Sequence, residues 1–99
     1  MKYRDEAKEQ VCRVLMQVPF AAGCEVTEDT HEGFLVRYEL KDGTQRVLEA
    51  VVLGQAYPAV TLRAIQSKGE WRGEPLVVAP FVSPETMQLC TQHQVSCLD

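Results

Sequence analysis

The sequence predicts an α/β domain in which an antiparallel meander continues into parallel strands joined by helices. Three observations carry that prediction. Asp42-Gly43 stands between two β-rich runs and marks a hairpin. Pro58 and Ser83-Pro84 each stand where a helix would open, because proline is tolerated in a first helical turn. The run "PLVVAPFV" is short and continuously apolar, the pattern of a strand covered on both faces.

Residues 4–18 carry Ala7, Val11, Val14, Leu15 and Val18 at helical spacing, so one stripe faces a core. Asp5, Glu6 and Glu9 lie near its start and complement the helix dipole, and Pro19 ends it. A short edge strand is expected near 24–29. Residues 34–40 then alternate, with Phe34, Val36, Tyr38 and Leu40 on one face. The returning strand, 45–53, is apolar on both faces from Val47 onward except at Glu49, which makes it central. Pro58 begins a second helix whose stripe is Ala59, Leu62 and Ile65 with Ala64, and Gly69 stops it. The fourth strand lies in "PLVVAPFV". Ser83 caps a third helix running to about Gln94, and "VSCL" is a closing strand. The order is α, three strands, α, strand, α, strand, with the last two strands added in parallel through right-handed crossovers.

Ninety-nine residues with 45% hydrophobic content make one domain, 1–99, with one core. Little volume remains for a large enclosed active site. Fourteen acids against ten bases give a net charge of −4, the opposite of what a general phosphate-backbone binder needs. No apolar run approaches the ~20 residues needed to cross a bilayer. The charged start "MKYRDEAKEQ" has no apolar signal core, which points to the cytoplasm. Four cysteines, Cys12, Cys24, Cys90 and Cys97, could pair in three ways if oxidised. In a reducing compartment they stay thiols and behave as small hydrophobes.

The closing segment "EPLVVAPFVSPETMQLCTQHQVSCLD" carries Val78, Ala79, Pro80, Phe81, Ser83, Pro84, Leu98 and Asp99 in a recognisable arrangement. It resembles the nuclease-like domains beside winged-helix regulators and in AbiEi-like antitoxins, within the PD-(D/E)xK restriction-endonuclease-like fold. The resemblance implies a restriction-endonuclease-like αβββαβαβ core and a bacterial, regulatory, defence or toxin–antitoxin setting. Such domains continue beyond the Leu-Asp, so the resemblance also implies that these residues are a piece of a longer protein. In active members, an acid on the second strand and a Glu on the third bind a divalent cation, and a Lys two residues on helps activate water. Glu49 matches that Glu, but Val51 stands at the Lys position. The facing strand, "GFLVRY", has no carboxylate in any register; a two-residue loop would put Val36 opposite Glu49. Asp29 or Glu28 would reach the site only by an unusual loop path. A lone carboxylate does not hold a catalytic Mg²⁺. The resemblance thus implies a nuclease-like fold that has lost its chemistry, with Glu49 as a remnant, as a carboxylate at a strand end, or as one paired with Arg37 or another base.

Other constellations are weaker. Cys90, His93 and Cys97 lack the C-x-x-C pairing of structural zinc, and a fourth ligand would have to come from Cys12, Cys24, His31 or Asp99. The bland reading is a core cysteine, a turn histidine and a strand cysteine. Cys24 and His31 could form a nucleophile and base only if brought within hydrogen-bond reach. Arg63, Lys68 and Arg72 read as a solvated helix end or as a small phosphate- or partner-contacting patch. Trp71 reads as a partner anchor or a lid on the core. The leading expectation is a non-catalytic nuclease-like binding or regulatory domain. It needs no cofactor, and it would serve a protein partner or an adjacent DNA-binding domain, a homodimer being possible. A metal-dependent nuclease with displaced ligands, using Mg²⁺, and an unrelated small interaction module are the alternatives.

Overall fold

The computed structural model describes residues 2–98, and the side chains of 3–98. Asp99, named above as a candidate fourth ligand and as a strand end, lies outside the described residues. Eight elements follow in the expected order: α1 (Lys2–Met16), β1 (Ala21–Asp29), β2 (Gly33–Leu40), β3 (Gln45–Val52), α2 (Pro58–Lys68), β4 (Glu74–Val78), α3 (Pro84–Gln92) and β5 (Ser96–Leu98). They form a mixed α/β fold around one five-stranded sheet, ordered β1-β2-β3-β4-β5. The first two junctions are antiparallel and the last two parallel.

Side-chain alternation divides the sheet between helices. On one face Phe34, Val36, Ala50, Leu76 and Val78 pack with Ala7 and Val11 of α1. On the other, Val77 packs with Cys90 of α3 and with Val95, and Ile65 of α2 lies against this group. Burying a side chain such as Phe34 or Val36 contributes about 1.5–3 kcal/mol. β3, flanked by β2 and β4, is the central strand.

Several expectations need correcting. The helix expected over 4–18 runs two residues earlier, and Val14 is exposed rather than part of the core stripe. The strand expected at 24–29 extends to nine residues. Ala59 of α2 is exposed, whereas Thr61 is fully buried. The inward line of α2 is therefore Thr61, Ile65 and Lys68, with Leu62 and Ala64 alongside. The third helix stops at Gln92, and Gln94 adopts φ 59, which turns the chain into β5.

The hairpin register also differs. Leu35, not Val36, lies opposite Glu49. The loop has three residues, Lys41 to Gly43, inside the Leu40–Thr44 pair: the Leu40 N–H donates to the Thr44 carbonyl at 2.8 Å. The Asp42 carboxylate accepts the Thr44 N–H at 2.8 Å, and only Gly43 takes a positive φ, at 91°. A two-residue mirror turn would need positive φ at both central positions. One extra loop residue slips the pairing by one and changes which side chain faces which.

Candidate functional site

Glu49 is the one charged side chain in the buried core among the described residues, at 1% exposure. It sits on central β3, between Leu35 of β2 and Pro75 of β4. Strand alternation turns it away from α1, toward the end of α2. Lys68, in the last turn of α2, places its ammonium on Glu49 Oε2. The Arg72 backbone N–H, in the α2–β4 loop, donates to Glu49 Oε1 at 2.7 Å. Both carboxylate oxygens are thus engaged by the protein itself. A buried carboxylate is tolerable only with such compensation.

The cluster extends outward. Lys68 Nζ stands 4.0 Å from Glu32 Oε2 in the β1–β2 turn and 5.8 Å from the centroid of the Trp71 ring. The Arg72 guanidinium donates to Glu28 Oε2 of β1 at 2.9 Å. A bulge between Val26 and Glu28 explains how Glu28 arrives. Val26 pairs with Val36, but Glu28 pairs with Leu35, so Thr27 is the extra residue and Glu28 moves to the face of Glu49. Asp29 returns to the α1 face, where Lys8 pairs with it at 2.7 Å and holds its carboxyl below the usual range. Of the two acids expected to need an unusual path, a strand bulge brings Glu28 near, while Asp29 is directed elsewhere.

Two glycines make this arrangement possible. A Cβ on Gly33 would lie 1.9 Å from the Ala50 carbonyl oxygen, and one on Gly73 would lie 2.6 Å from that of Val47. Gly33 lets β2 close on β3 beside Glu49, and Gly73 lets the Arg72 loop press against β3. Arg4 of α1 steadies the β1–β2 turn from outside, donating to the carbonyls of Thr30 and Gly33 at 2.9 and 2.8 Å.

Of the four residues read as a contact patch, Lys68, Trp71 and Arg72 come together; Arg63 stands apart, exposed on α2. Lys68 and Arg72 face carboxylates. Trp71 is half-buried against the Val77–Cys90–Val95 group, the position of a lid on the core. Spacing over Thr61, Ile65 and Lys68 could have placed Lys68 on the inward line of α2; Glu32 and the bulge at Thr27 left no such signal.

Of the other constellations, Cys90 and Cys97 share one apolar group, while His93 stands outside it and Cys24 and His31 come apart. Cys90 is fully buried, while His93 is exposed at the end of α3, where its backbone N–H donates to the Leu89 and Cys90 carbonyls at 3.1 Å. Cys24 packs on the α1 face, and burial, with a thiol contact to Cys12, pushes it up to about 12. A thiol held protonated in this way is a poor nucleophile. His31 is exposed in the β1–β2 turn. No group of three His, Cys, Asp or Glu side chains among the described residues is arranged to hold a metal ion. No family model, curated protein or solved structure matches the chain.

Proposed function

We propose that this chain is a nuclease-like domain without nuclease chemistry, serving as a binding or regulatory module in the bacterial cytoplasm. The observation that carries the reading is the state of Glu49. Its carboxylate matches the acid of the resembled strand, yet one oxygen holds Lys68 and the other the Arg72 amide. Leu35 lies opposite, where a metal site would want a second carboxylate. The strand order supports the nuclease-like part, since an antiparallel meander followed by parallel β4 and β5 is the arrangement the resemblance implies.

A protein partner or an adjacent DNA-binding domain suits the surface better than a direct phosphate contact. The net charge is −4, and two of the three candidate bases are matched with acids. Tyr57 and Phe81, chain neighbours of the parallel Ala56–Val82 bridge, and Val60 of α2 are exposed apolar side chains that a partner could cover. No helix among the described residues is long and apolar enough to cross a membrane.

The test is direct. The purified chain is incubated with supercoiled plasmid and branched DNA in Mg²⁺ or Mn²⁺, and no cleavage is expected. Cleavage that Glu49→Ala abolishes would sink the reading. One observation favours the second reading, an active nuclease with displaced ligands: Lys68 supplies from α2 the ammonium missing at Val51, and Glu28 reaches the same face. Calorimetric titration with Mn²⁺ separates the two, because that reading requires heat of binding that Glu49→Gln removes.

A further inference from the structure

All four cysteines fall into two contacting pairs, one on each side of the sheet. Cys12 of α1 and Cys24 of β1, both half-buried, pack against the same core group as Ala7 and Val36. The Cys12 thiol lies beside Cys24 and helps to raise it. On the opposite side, buried Cys90 of α3 belongs to the Val77–Val95 group, and half-buried Cys97 of β5 packs against it, in register with Val77. The Cys97 thiol likewise lies beside Cys90 and helps to raise it. The sequence leaves three pairings open, but the sheet stands between the two pairs and obstructs the two crossed ones.

We infer that Cys12 with Cys24, and Cys90 with Cys97, are two dithiol sites, each closing to an intramolecular disulfide on exchange with a low-molecular-weight disulfide such as glutathione disulfide. In the first pair a Cys12 thiolate attacks one sulfur of the oxidant, its S–S bond breaks, and one glutathione thiol leaves. Cys24 then loses its proton and attacks the mixed disulfide at the Cys12 sulfur, releasing the second glutathione. The two protein thiols have given up two electrons and two protons, and one glutathione disulfide has become two thiols. Half-buried Cys97 meets the oxidant in the second pair, and buried Cys90 resolves it. Burial pushes Cys24 up to about 12 and Cys90 up to about 11, so the resolving step is slow at neutral pH and quickens in alkali. Closure ties α1 to β1 and α3 to β5, joining each edge strand of the sheet to a helix.

The test uses the whole chain with glutathione disulfide at pH 8, followed by acid quench, alkylation, non-reducing digestion and mass spectrometry. Two linked peptide pairs are expected, Cys12 with Cys24 and Cys90 with Cys97, in a monomer whose melting temperature has risen. Crossed pairs, dimers linked by disulfide, or glutathione adducts that never close would overturn the inference. Cys24→Ser should trap glutathione on Cys12 and leave the other bridge intact. Since Cys90→Ser alters a fully buried site and could unfold α3, Cys97→Ser serves as the second variant; it should abolish only the Cys90–Cys97 peptide. Loss of both bridges in either variant would also count against two independent sites.

Discussion

Lys68 brings its ammonium from the last turn of α2 onto the Glu49 carboxylate in the middle of β3. Glu49 is 1% exposed and the Lys68 side chain 13%, so neither charge is well solvated. Attraction between them offsets a desolvation cost that each alone could not meet.

Removing one partner should therefore be worse than removing both. Lys68→Met should destabilise the fold by about 3–5 kcal/mol, because the carboxylate is left buried with only the Arg72 amide. The double change Glu49→Leu with Lys68→Met should recover most of that loss, since apolar side chains of similar volume often replace a buried pair at little cost. Urea denaturation of the single and double variants measures both. A double variant as unstable as Lys68→Met would show that the pair itself is not what holds α2 to β3.

The close approach at Gly33 and Gly73 has a sharper consequence. Gly33→Ala puts a Cβ 1.9 Å from a backbone oxygen that cannot rotate away, and Gly73→Ala meets the Val47 carbonyl at 2.6 Å. Overpacking of this kind costs about 1–3 kcal/mol or more. Gly73→Ala should also shift the Arg72 amide off Glu49. Gly23→Ala, where the new Cβ meets nothing within 4 Å, should stay within about 0.5 kcal/mol of the parent. Thermal melts of the three variants check the ranking; a Gly23 variant as damaged as the Gly33 variant would contradict it.

Element order was legible because punctuation residues say where the chain turns: Asp42-Gly43, Pro58, Gly69 and Ser83-Pro84 all mark boundaries seen in the fold. Loop length was not, because the choice between two and three residues rests on Asp42 holding the Thr44 N–H and on Gly43 alone taking positive φ. Glu49 stood out as a lone charge in an apolar strand. Its partners did not, since they arrive through a bulge at Thr27, a turn and a helix end distant in sequence. Lys68 reads as a solvated helix terminus until β3 is placed beneath it.

The start of α3 rests on two hydroxyls. Ser83 Oγ accepts the Thr86 N–H at 3.2 Å and lies 2.8 Å from Thr86 Oγ1. Thr86 in turn donates to the buried Ala56 carbonyl at 2.6 Å, joining α3 to the β3–α2 connection. Ser83→Ala should cost about 1 kcal/mol as a lost cap. Thr86→Val should cost about 1–3 kcal/mol by leaving the Ala56 carbonyl without that donor. Because the two hydroxyls touch, the double variant should differ from the sum of the singles by more than about 0.5 kcal/mol. Strict additivity in a denaturation cycle would show that they act separately.

Stability should fall in alkali, and the order of events follows from three raised groups. Burial, helped by neighbouring thiols, lifts Cys24 to about 12 and Cys90 to about 11, against 9.0 for an ordinary thiol. Burial and the hydrogen bond to Glu74 lift Tyr38 to about 12, against 10.0. Each folded group keeps a proton that the unfolded chain has already released, so unfolding releases protons and is favoured as pH rises. The contribution is complete below pH 9, where both states hold the thiol protons, and it declines through pH 9 to 12 as the unfolded chain ionises first. Melting temperature measured in reductant should therefore be flat near neutrality and drop from about pH 9. In a Cys24→Ala, Cys90→Ala variant the drop should begin about one pH unit later, at the tyrosine. An unchanged onset in that variant would show that the thiols do not carry the alkaline limb.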